Sequence, residues 1–259
     1  MTVIAPATAN TGGAVPDAIW RMLATIRSEV DQLDASGAPL LTLTGSLAAG
    51  SGDAVSDIDL DVLCTDALQS ESVRVRIDRC LRDAGHVLAQ FSATHIGLPD
   101  LVITFVDVGG VLVKVDVNYR HRSKGAVSTH REASETDLAG LHSRFTGWLW
   151  YTHSKIVRGE LWEAGDSIAV MRAQALLPML FFVRDLPREG YRRLESRLAP
   201  ADLQRLDRTL PKAHHPDALR AALSGLCDLF ETLTSAAVAK IGRDFRAADL
   251  SRMRELAGA

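Results

Sequence analysis

Acidic and apolar side chains alternate from Asp57 to Val62 in the segment DIDLDVL, residues 57–63. Successive side chains of an extended strand point to opposite faces, so Asp57, Asp59 and Asp61 share one face and the apolar residues share the other. The pattern therefore predicts a β-strand that lies against a core on its apolar face. Three carboxylates placed so close together repel one another unless a cation holds them.

A divalent cation with oxygen ligands would remove that repulsion, and magnesium takes one or two carboxylates together with substrate phosphates. The run VLVKVDVNY, residues 111–119, is a second strand whose alternation puts Lys114, Asp116 and Asn118 on one face. If the two strands lie side by side, Asp116 supplies a third carboxylate. A solvated face at a sheet edge is the alternative interpretation, and the spacing alone does not decide between them.

The residues upstream of the acidic strand suit a phosphate site. A short strand at 40–44 runs into Gly45 and Ser46, and Gly50 and Gly52 keep the following loop free of bulk. Glycine lets backbone N–H groups approach phosphate oxygens, and the serine hydroxyl is a further donor. A strand, a Gly-Ser pair, a glycine-containing loop and an acidic strand together predict a site for a triphosphate and its metal.

The segment GSLAAGSGDAVSDIDLDVL, residues 45–63, resembles the signature of the DNA polymerase β-like nucleotidyltransferase superfamily. The resemblance implies that Asp57, Asp59 and Asp116 are catalytic and bind two magnesium ions. It also implies that Gly45 and Ser46 contact the phosphates of ATP or another nucleoside triphosphate. Two ions ~3.5–4 Å apart stabilise both the attacking and the leaving oxygen at a phosphorus atom.

Asp61 departs from that signature, because most relatives carry an apolar residue at this position. Either Asp61 lies in solvent at the far end of the strand, or it shares in metal binding and Asp116 is less essential. Both interpretations stay open on the sequence.

The chain changes character near residue 130, where strand patterns end and helical spacing continues to the C-terminus. The expected fold class is α+β: a mixed sheet with flanking helices, followed by an all-helical part. The expected domains are a flexible tail at 1–16, a nucleotidyltransferase α/β domain at 17–130 and a helical domain at 131–259.

The helical part carries a second resemblance. The segments FTGWLWYTHSKIVRGELWEA, residues 145–164, and MRAQALLPML, residues 171–180, look like the C-terminal region of bacterial antibiotic nucleotidyltransferases of the lincosamide and aminoglycoside type. This implies transfer of a nucleotide, AMP above all, to a hydroxyl of a small drug, with release of pyrophosphate. It also implies that Lys155 binds the triphosphate, although a basic residue at a helix C-terminus has a structural explanation too.

Other residues of the helical part admit two interpretations each. Glu160, Glu163 and Asp166 would attract a cationic acceptor, or they form a solvated helix face. Trp148, Trp150 and Tyr151 would stack on a base, although an aromatic cluster on a helix more often belongs to the core.

Charge and composition narrow the class of partner. The formal net charge is -3, which favours a small-molecule acceptor over a long nucleic acid, since polymer binding usually needs a basic excess. No signal peptide and no stretch of about 18 uncharged apolar residues is recognisable, so we expect a cytoplasmic protein without a membrane span. The alternatives are a protein or tRNA acceptor, or a catalytically silent nucleotide-binding regulator. The sequence does not indicate an oligomeric state.

Overall fold

The computed structural model describes residues 14–33, 40–94, 98–121, 137–187 and 190–259. Most of the tail expected at 1–16 and the domain boundary expected at residue 130 lie outside these described residues, so both stay predictions. Within the described ranges, a sheet with flanking helices precedes a series of helices, which confirms the expected fold class.

The sheet is mixed and has five strands in the order β1-β2-β5-β4-β3. β2 and β5 are parallel, whereas the other neighbouring pairs are antiparallel. The bounds are β1 Leu41–Thr44, β2 Ile58–Cys64, β3 His86–Ala93, β4 Leu98–Val108 and β5 Val111–His121. Gly109 and Gly110, both at positive φ, form the two-residue turn between β4 and β5, as the glycine pair predicts. The parallel pairing of β2 and β5 sets the two polar strand faces side by side.

Helices α1 (Asp17–Asp31) and α3 (Ala67–Ala84) cover one face of the sheet, and the short α2 (Gly45–Ala48) follows β1. The apolar side of β2 is fully buried in the core they share. Helically spaced apolar residues follow Asp17, and the sequence predicts Asp17 as the cap of this helix. That prediction is wrong: the N-cap is Pro16, whose carbonyl oxygen accepts a hydrogen bond from the backbone N–H of Ile19. Asp17 lies in the first turn, where a carboxylate favours the helix dipole.

The C-terminal part contains helices and, within residues 137–187 and 190–259, no strand. The helices are α4 Leu138–Val157, α5 Leu161–Met171, α6 Leu177–Arg184, α7 Leu194–Arg197, α8 Pro200–Asp207, α9 Pro216–Ile241 and α10 Leu250–Ala257. Helical spacing predicts a helix at about 160–185, and the chain is helical from Leu161 to Arg184, with a π-helical turn at Arg172–Leu176 between α5 and α6. Pro178 explains the change, since it lacks the N–H that would bond the carbonyl four residues earlier.

Helix α4 packs on the other face of the sheet, over β3. Ala89 and Phe105 of the sheet share one buried core with Phe145 and Leu149 of α4. At Gly147 an added Cβ would lie 2.6 Å from ring atoms of both Phe91 and Phe105, so only glycine permits this close approach. The polar residues of β2 and β5 lie on this same face, beside α4.

One stretch, Leu161–Arg184, is long and apolar enough to cross a membrane by length and composition. It comprises α5, the π-helical turn and α6. Ile168, Met171 and Leu180 within it are completely buried in the helical core, and α9 packs against both of its helices.

Candidate metal centre

The strand register brings the predicted carboxylates together. In the parallel pair, Asp59 of β2 lies opposite Asp116 of β5, and Asp57 directly precedes β2 on the same face. One carboxylate oxygen from each of the three residues lies within 4.8 Å of the others. This cluster, Asp57, Asp59 and Asp116, is called the carboxylate cluster below.

Asp61 does not belong to the carboxylate cluster. It lies opposite Asn118 in the register, whose side-chain amide donates to Asp61 at 3.0 Å. The guanidinium group of Arg120 lies 3.0 Å from the other carboxylate oxygen. Of the two candidates for the third carboxylate, the geometry therefore favours Asp116.

Lys114 bridges two members of the carboxylate cluster, a contact that the sequence did not predict. Its Nζ donates to Asp57 at 2.6 Å and to Asp116 at 2.8 Å. Burial disfavours the ammonium charge, but the two carboxylates outweigh it and raise the pKa of Lys114. The alternation of β5 placed Lys114 on the correct face; only the folded structure shows that it bridges two carboxylates.

The three carboxylates differ in pKa because they share this single ammonium group. For Asp57, Lys114 outweighs the effect of burial and lowers the pKa. For Asp116, burial dominates and raises the pKa in spite of Lys114. For Asp59, burial and the charges of Asp57 and Asp116 raise the pKa to about 6. The site therefore holds more negative charge than its own cation neutralises.

One buried oxygen atom of the carboxylate cluster indicates that a metal ion would fit there. Asp116 Oδ1 is buried and has no hydrogen-bond partner among the described residues, while Oδ2 accepts from Lys114. A buried polar atom without a partner is costly and calls for an explanation. A magnesium ion held by Asp57, Asp59 and Asp116 would provide one, and its preference for carboxylate oxygens matches this donor set.

Gly45 lies in direct contact with the carboxylate cluster. Its φ is +68°, and a Cβ added there would lie 2.0 Å from Asp59 Oδ2. Both the left-handed backbone and the contact require glycine. Gly50 has a nearly identical φ of +69° and nothing within 4 Å of an added Cβ, so the steric demand is specific to Gly45. The structure thus sets Gly45 against Asp59, and the phosphate contacts that the signature implies for Gly45 and Ser46 stay a prediction.

The loop between α2 and β2 is held by hydrogen bonds and by α4. Ser46 donates to Ser56 at 3.3 Å, and Ser56 donates to Asp53 at 2.9 Å. Arg158, the C-cap of α4, binds both carboxylate oxygens of Asp53 at 2.8 Å. This ion pair holds the pKa of Asp53 below its usual value. It joins residues 105 positions apart, and no local sequence pattern indicates it.

Lys155, the predicted triphosphate ligand, lies in the last turn of α4. Its Nζ is 2.5 Å from Glu160 and 5.2 Å from the centre of the Tyr151 ring. The predicted contact with phosphate stays a prediction.

A cavity of about 390 Å³ lies between the sheet and helices α4 and α5, and Asp116 and Lys114 form part of its wall. Trp148 and Tyr151 line it, whereas the ring of Trp150 lies 5.1 Å from that of His153. The other residues around the cavity are Phe91, Leu101, Ile103, Phe105, Gly147, Glu163, Asp166, Ser167, Val170 and Gln174. It is a pocket of small-molecule size that opens onto the carboxylate cluster.

No protein-family model matches the chain, and no curated protein matches it. Among solved structures, an aminoglycoside 6-adenyltransferase from Bacillus subtilis is 12% identical, with a TM-score of 0.43, over 90% of this chain and 96% of that chain.

Two structures of Cid1 are also similar. The RNA terminal uridylyl transferase is 18% identical, with a TM-score of 0.30, over 67% of this chain and 42% of that chain. The poly(U) polymerase with bound MgGTP is 15% identical, with a TM-score of 0.31, over 85% and 70%. All three names describe nucleotide-transferring enzymes. Similarities at these identities and TM-scores do not assign a function to this chain.

Proposed function

We propose that this protein is a metal-dependent nucleotidyltransferase that moves a nucleoside monophosphate, with AMP as the first candidate, from a magnesium-bound triphosphate to a hydroxyl of a small molecule. The observation that supports it best is the carboxylate cluster, with its partnerless buried oxygen, at the wall of a small-molecule-sized cavity. In this proposal, the triphosphate site and the acceptor site lie next to each other at the carboxylate cluster.

Asp57, Asp59 and Asp116 hold the metal in this proposal. Magnesium, when bound, supplies Lewis-acid stabilisation of the phosphoryl oxygens. Gly45 and Ser46 direct the start of α2 toward the phosphates, and the contact between Gly45 and Asp59 keeps phosphate and metal sites adjacent. Lys155 adds positive charge from α4, as the resemblance implies.

The reaction joins the acceptor hydroxyl oxygen to the α-phosphorus and breaks the bond between that phosphorus and the bridging oxygen, so pyrophosphate leaves. The chain contributes position and charge rather than a covalent intermediate. Asp116 either completes the metal site or accepts the proton of the acceptor hydroxyl. Its bridge to Lys114 fixes the carboxylate for either role.

Transfer of radiolabelled nucleotide from ATP, GTP, CTP and UTP to a panel of small hydroxylated compounds, to tRNA and to protein extract tests the proposal. We expect magnesium-dependent pyrophosphate release with at least one small acceptor, and a loss of ~100-fold or more in Asp57→Asn and Asp59→Asn, by analogy with the loss of a group that stabilises developing charge. Asp61→Asn is the matched control, since it removes a neighbouring carboxylate outside the cluster. Full activity in Asp57→Asn/Asp59→Asn would refute the metal assignment.

The same assay separates the alternatives. Labelling of tRNA or protein with no small acceptor modified would change the acceptor class. Magnesium-dependent ATP binding in calorimetry without turnover on any acceptor would identify a nucleotide-binding regulator.

A further inference from the structure

The cavity beside the carboxylate cluster has predominantly apolar walls. Ile103 and Phe105 contribute the sheet side, and Trp148 and Val170 contribute the helical side. Phe105 is almost completely buried, so the floor is rigid. Apolar and aromatic walls of this kind gain binding free energy when they exclude water from a ring or an alkyl group.

Two acidic residues lie at the exposed side of the same cavity. Glu163 and Asp166 are one turn apart on α5 and both line it. The Tyr151 hydroxyl donates to Glu163 at 2.5 Å, which fixes that carboxylate. Asp166 has no ion pair or hydrogen bond among the described residues.

The part of the chain that the structure describes gives the cavity no free cation to balance these acids. Among the described residues that line it, Lys114 is the only basic one, and its ammonium group is already shared between Asp57 and Asp116. Asp116, whose buried Oδ1 has no hydrogen-bond partner among the described residues, belongs to the same wall. The cavity thus has apolar walls, a reactive end at Asp116 and an acidic entrance formed by Glu163 and Asp166.

We propose that the acceptor is a hydroxyl-bearing molecule with an apolar ring or alkyl body and a single protonated amine. This inference rests on the proposed function and specifies its acceptor. The body packs against Trp148 and Ile103, the ammonium group pairs with Glu163 and Asp166, and the hydroxyl reaches the carboxylate cluster.

Two other acceptor classes fit this cavity poorly. A polycationic amino sugar would press its further ammonium groups against apolar walls, where burying an unpaired charge is costly. A nucleic-acid end would bring phosphates toward Glu163 and Asp166, which repel them. An acceptor with one positive charge and an apolar body matches both the acidic entrance and the apolar walls.

Thermal-shift and calorimetric binding without nucleotide test the inference independently of turnover. The panel has four equal groups of hydroxylated compounds: monobasic ring amines, their N-acetylated and therefore neutral counterparts, polycationic amino sugars, and short oligoribonucleotides. We expect the monobasic amines to bind, and N-acetylation to weaken binding about tenfold, equivalent to ~1.4 kcal/mol. Preferential binding of any other group, or no binding from the monobasic group, would overturn the inference.

Variants of the cavity locate the binding. Glu163→Gln with Asp166→Asn should weaken binding of the monobasic amines about tenfold and leave the neutral counterparts unchanged. Trp148→Ala should weaken both. Glu195→Gln with Asp207→Asn removes the same charge from exposed positions outside the cavity and should change neither. An equal effect of the two double variants would contradict a specific acidic entrance.

Turnover distinguishes the two proposals. If monobasic amines bind as expected but no triphosphate is ever cleaved, the nucleotidyltransferase assignment fails and the pocket chemistry stands. If pyrophosphate is released only with polycationic or neutral acceptors, the assignment stands and the acceptor class is wrong.

Discussion

Lys114 is an internal counter-ion for the carboxylate cluster. Its ammonium group lies between Asp57 and Asp116, so the folded chain reduces the repulsion there without a bound ion. Removing one partner from a buried ion pair typically costs ~3–5 kcal/mol, because the remaining charge is left uncompensated.

Lys114→Met should therefore lower the free energy of unfolding by about that amount in chelator. Magnesium should restore a substantial part, since it supplies the missing positive charge. Urea unfolding with and without magnesium measures both effects, and Lys212→Met, at an exposed position, is the control. An equal loss in both buffers would show that Lys114 has only a packing role.

Gly45 and Gly50 form a matched pair that separates backbone strain from contact with the cluster. Both have positive φ, but only at Gly45 would a Cβ collide with Asp59. Each change to alanine should cost ~1–2 kcal/mol of stability from the left-handed backbone. Only Gly45→Ala should displace Asp59 and lower nucleotide transfer, by ~100-fold. Equal activities in the two variants would contradict the close approach.

Residue spacing predicted much of the candidate site. The alternation predicted that Asp57 and Asp59 share one face of their strand and that Asp116 lies on the polar face of another, because side-chain direction in a strand depends only on parity. The pairing of the two strands, which brings these faces together, was left as a condition. The pairing of Lys114 with two carboxylates and the reach of Arg158 to Asp53 were not predicted. Both contacts depend on how elements that are distant in the sequence pack together, which local sequence patterns do not predict.

At the scale of elements, α4 contains a buried titratable group. His142 is 2% exposed, and burial together with the nearby Arg246 lowers its pKa from 6.5 to about 4. The unfolded chain therefore binds a proton between pH 6.5 and 4 that the folded chain does not. The contribution of His142 to the free energy of unfolding is therefore fully present above pH 6.5, and it is lost as the pH falls through that window.

The loss at pH 4 should be about 3 kcal/mol, from the pKa difference at His142. In His142→Leu this part of the pH dependence should disappear, because no titratable group remains at the position. Unfolding free energies measured from pH 7 to pH 4 for both proteins provide the test. Parallel curves would show that His142 has the same pKa in the folded and the unfolded protein.

The sequence predicted elements well where one residue pattern decides the structure. β2 and β5 follow from two-residue alternation, and α9 follows from its continuous apolar stripe. The π-helical turn between α5 and α6 was not predicted, because the apolar spacing runs through it unchanged. There the backbone hydrogen bonding around Pro178 decides the structure, and hydrophobic spacing does not report it.

At the scale of the molecule, the sheet and the helices share a core. Leu88, Ala89, Phe105 and Leu112 of the sheet belong to the same buried cluster as the helices α4 to α6, α9 and α10. A division at residue 130 would therefore expose the sheet residues that pack against the helices, although α1, α3 and the other face of the sheet share a second core.

We expect the whole chain to unfold in one cooperative transition. Trp20 in α1 reports the N-terminal half, and Trp148 in α4 reports the helical half. With all other tryptophans replaced by phenylalanine, single-tryptophan variants at these positions should give the same urea midpoint, coincident with circular dichroism. Two separated midpoints would show that the halves fold independently.

The ion pair between Arg158 and Asp53 has a kinetic consequence. Helix α4 forms one wall of the cavity through Gly147, Trp148 and Tyr151, and Arg158 at its C-terminal end binds Asp53 in the loop that follows the Gly-Ser pair. In the proposed reaction, both substrates would lie beside this helix and would have to be bound at the same time. Initial-rate plots should show intersecting lines, the signature of a ternary complex, rather than the parallel lines of a double-displacement reaction.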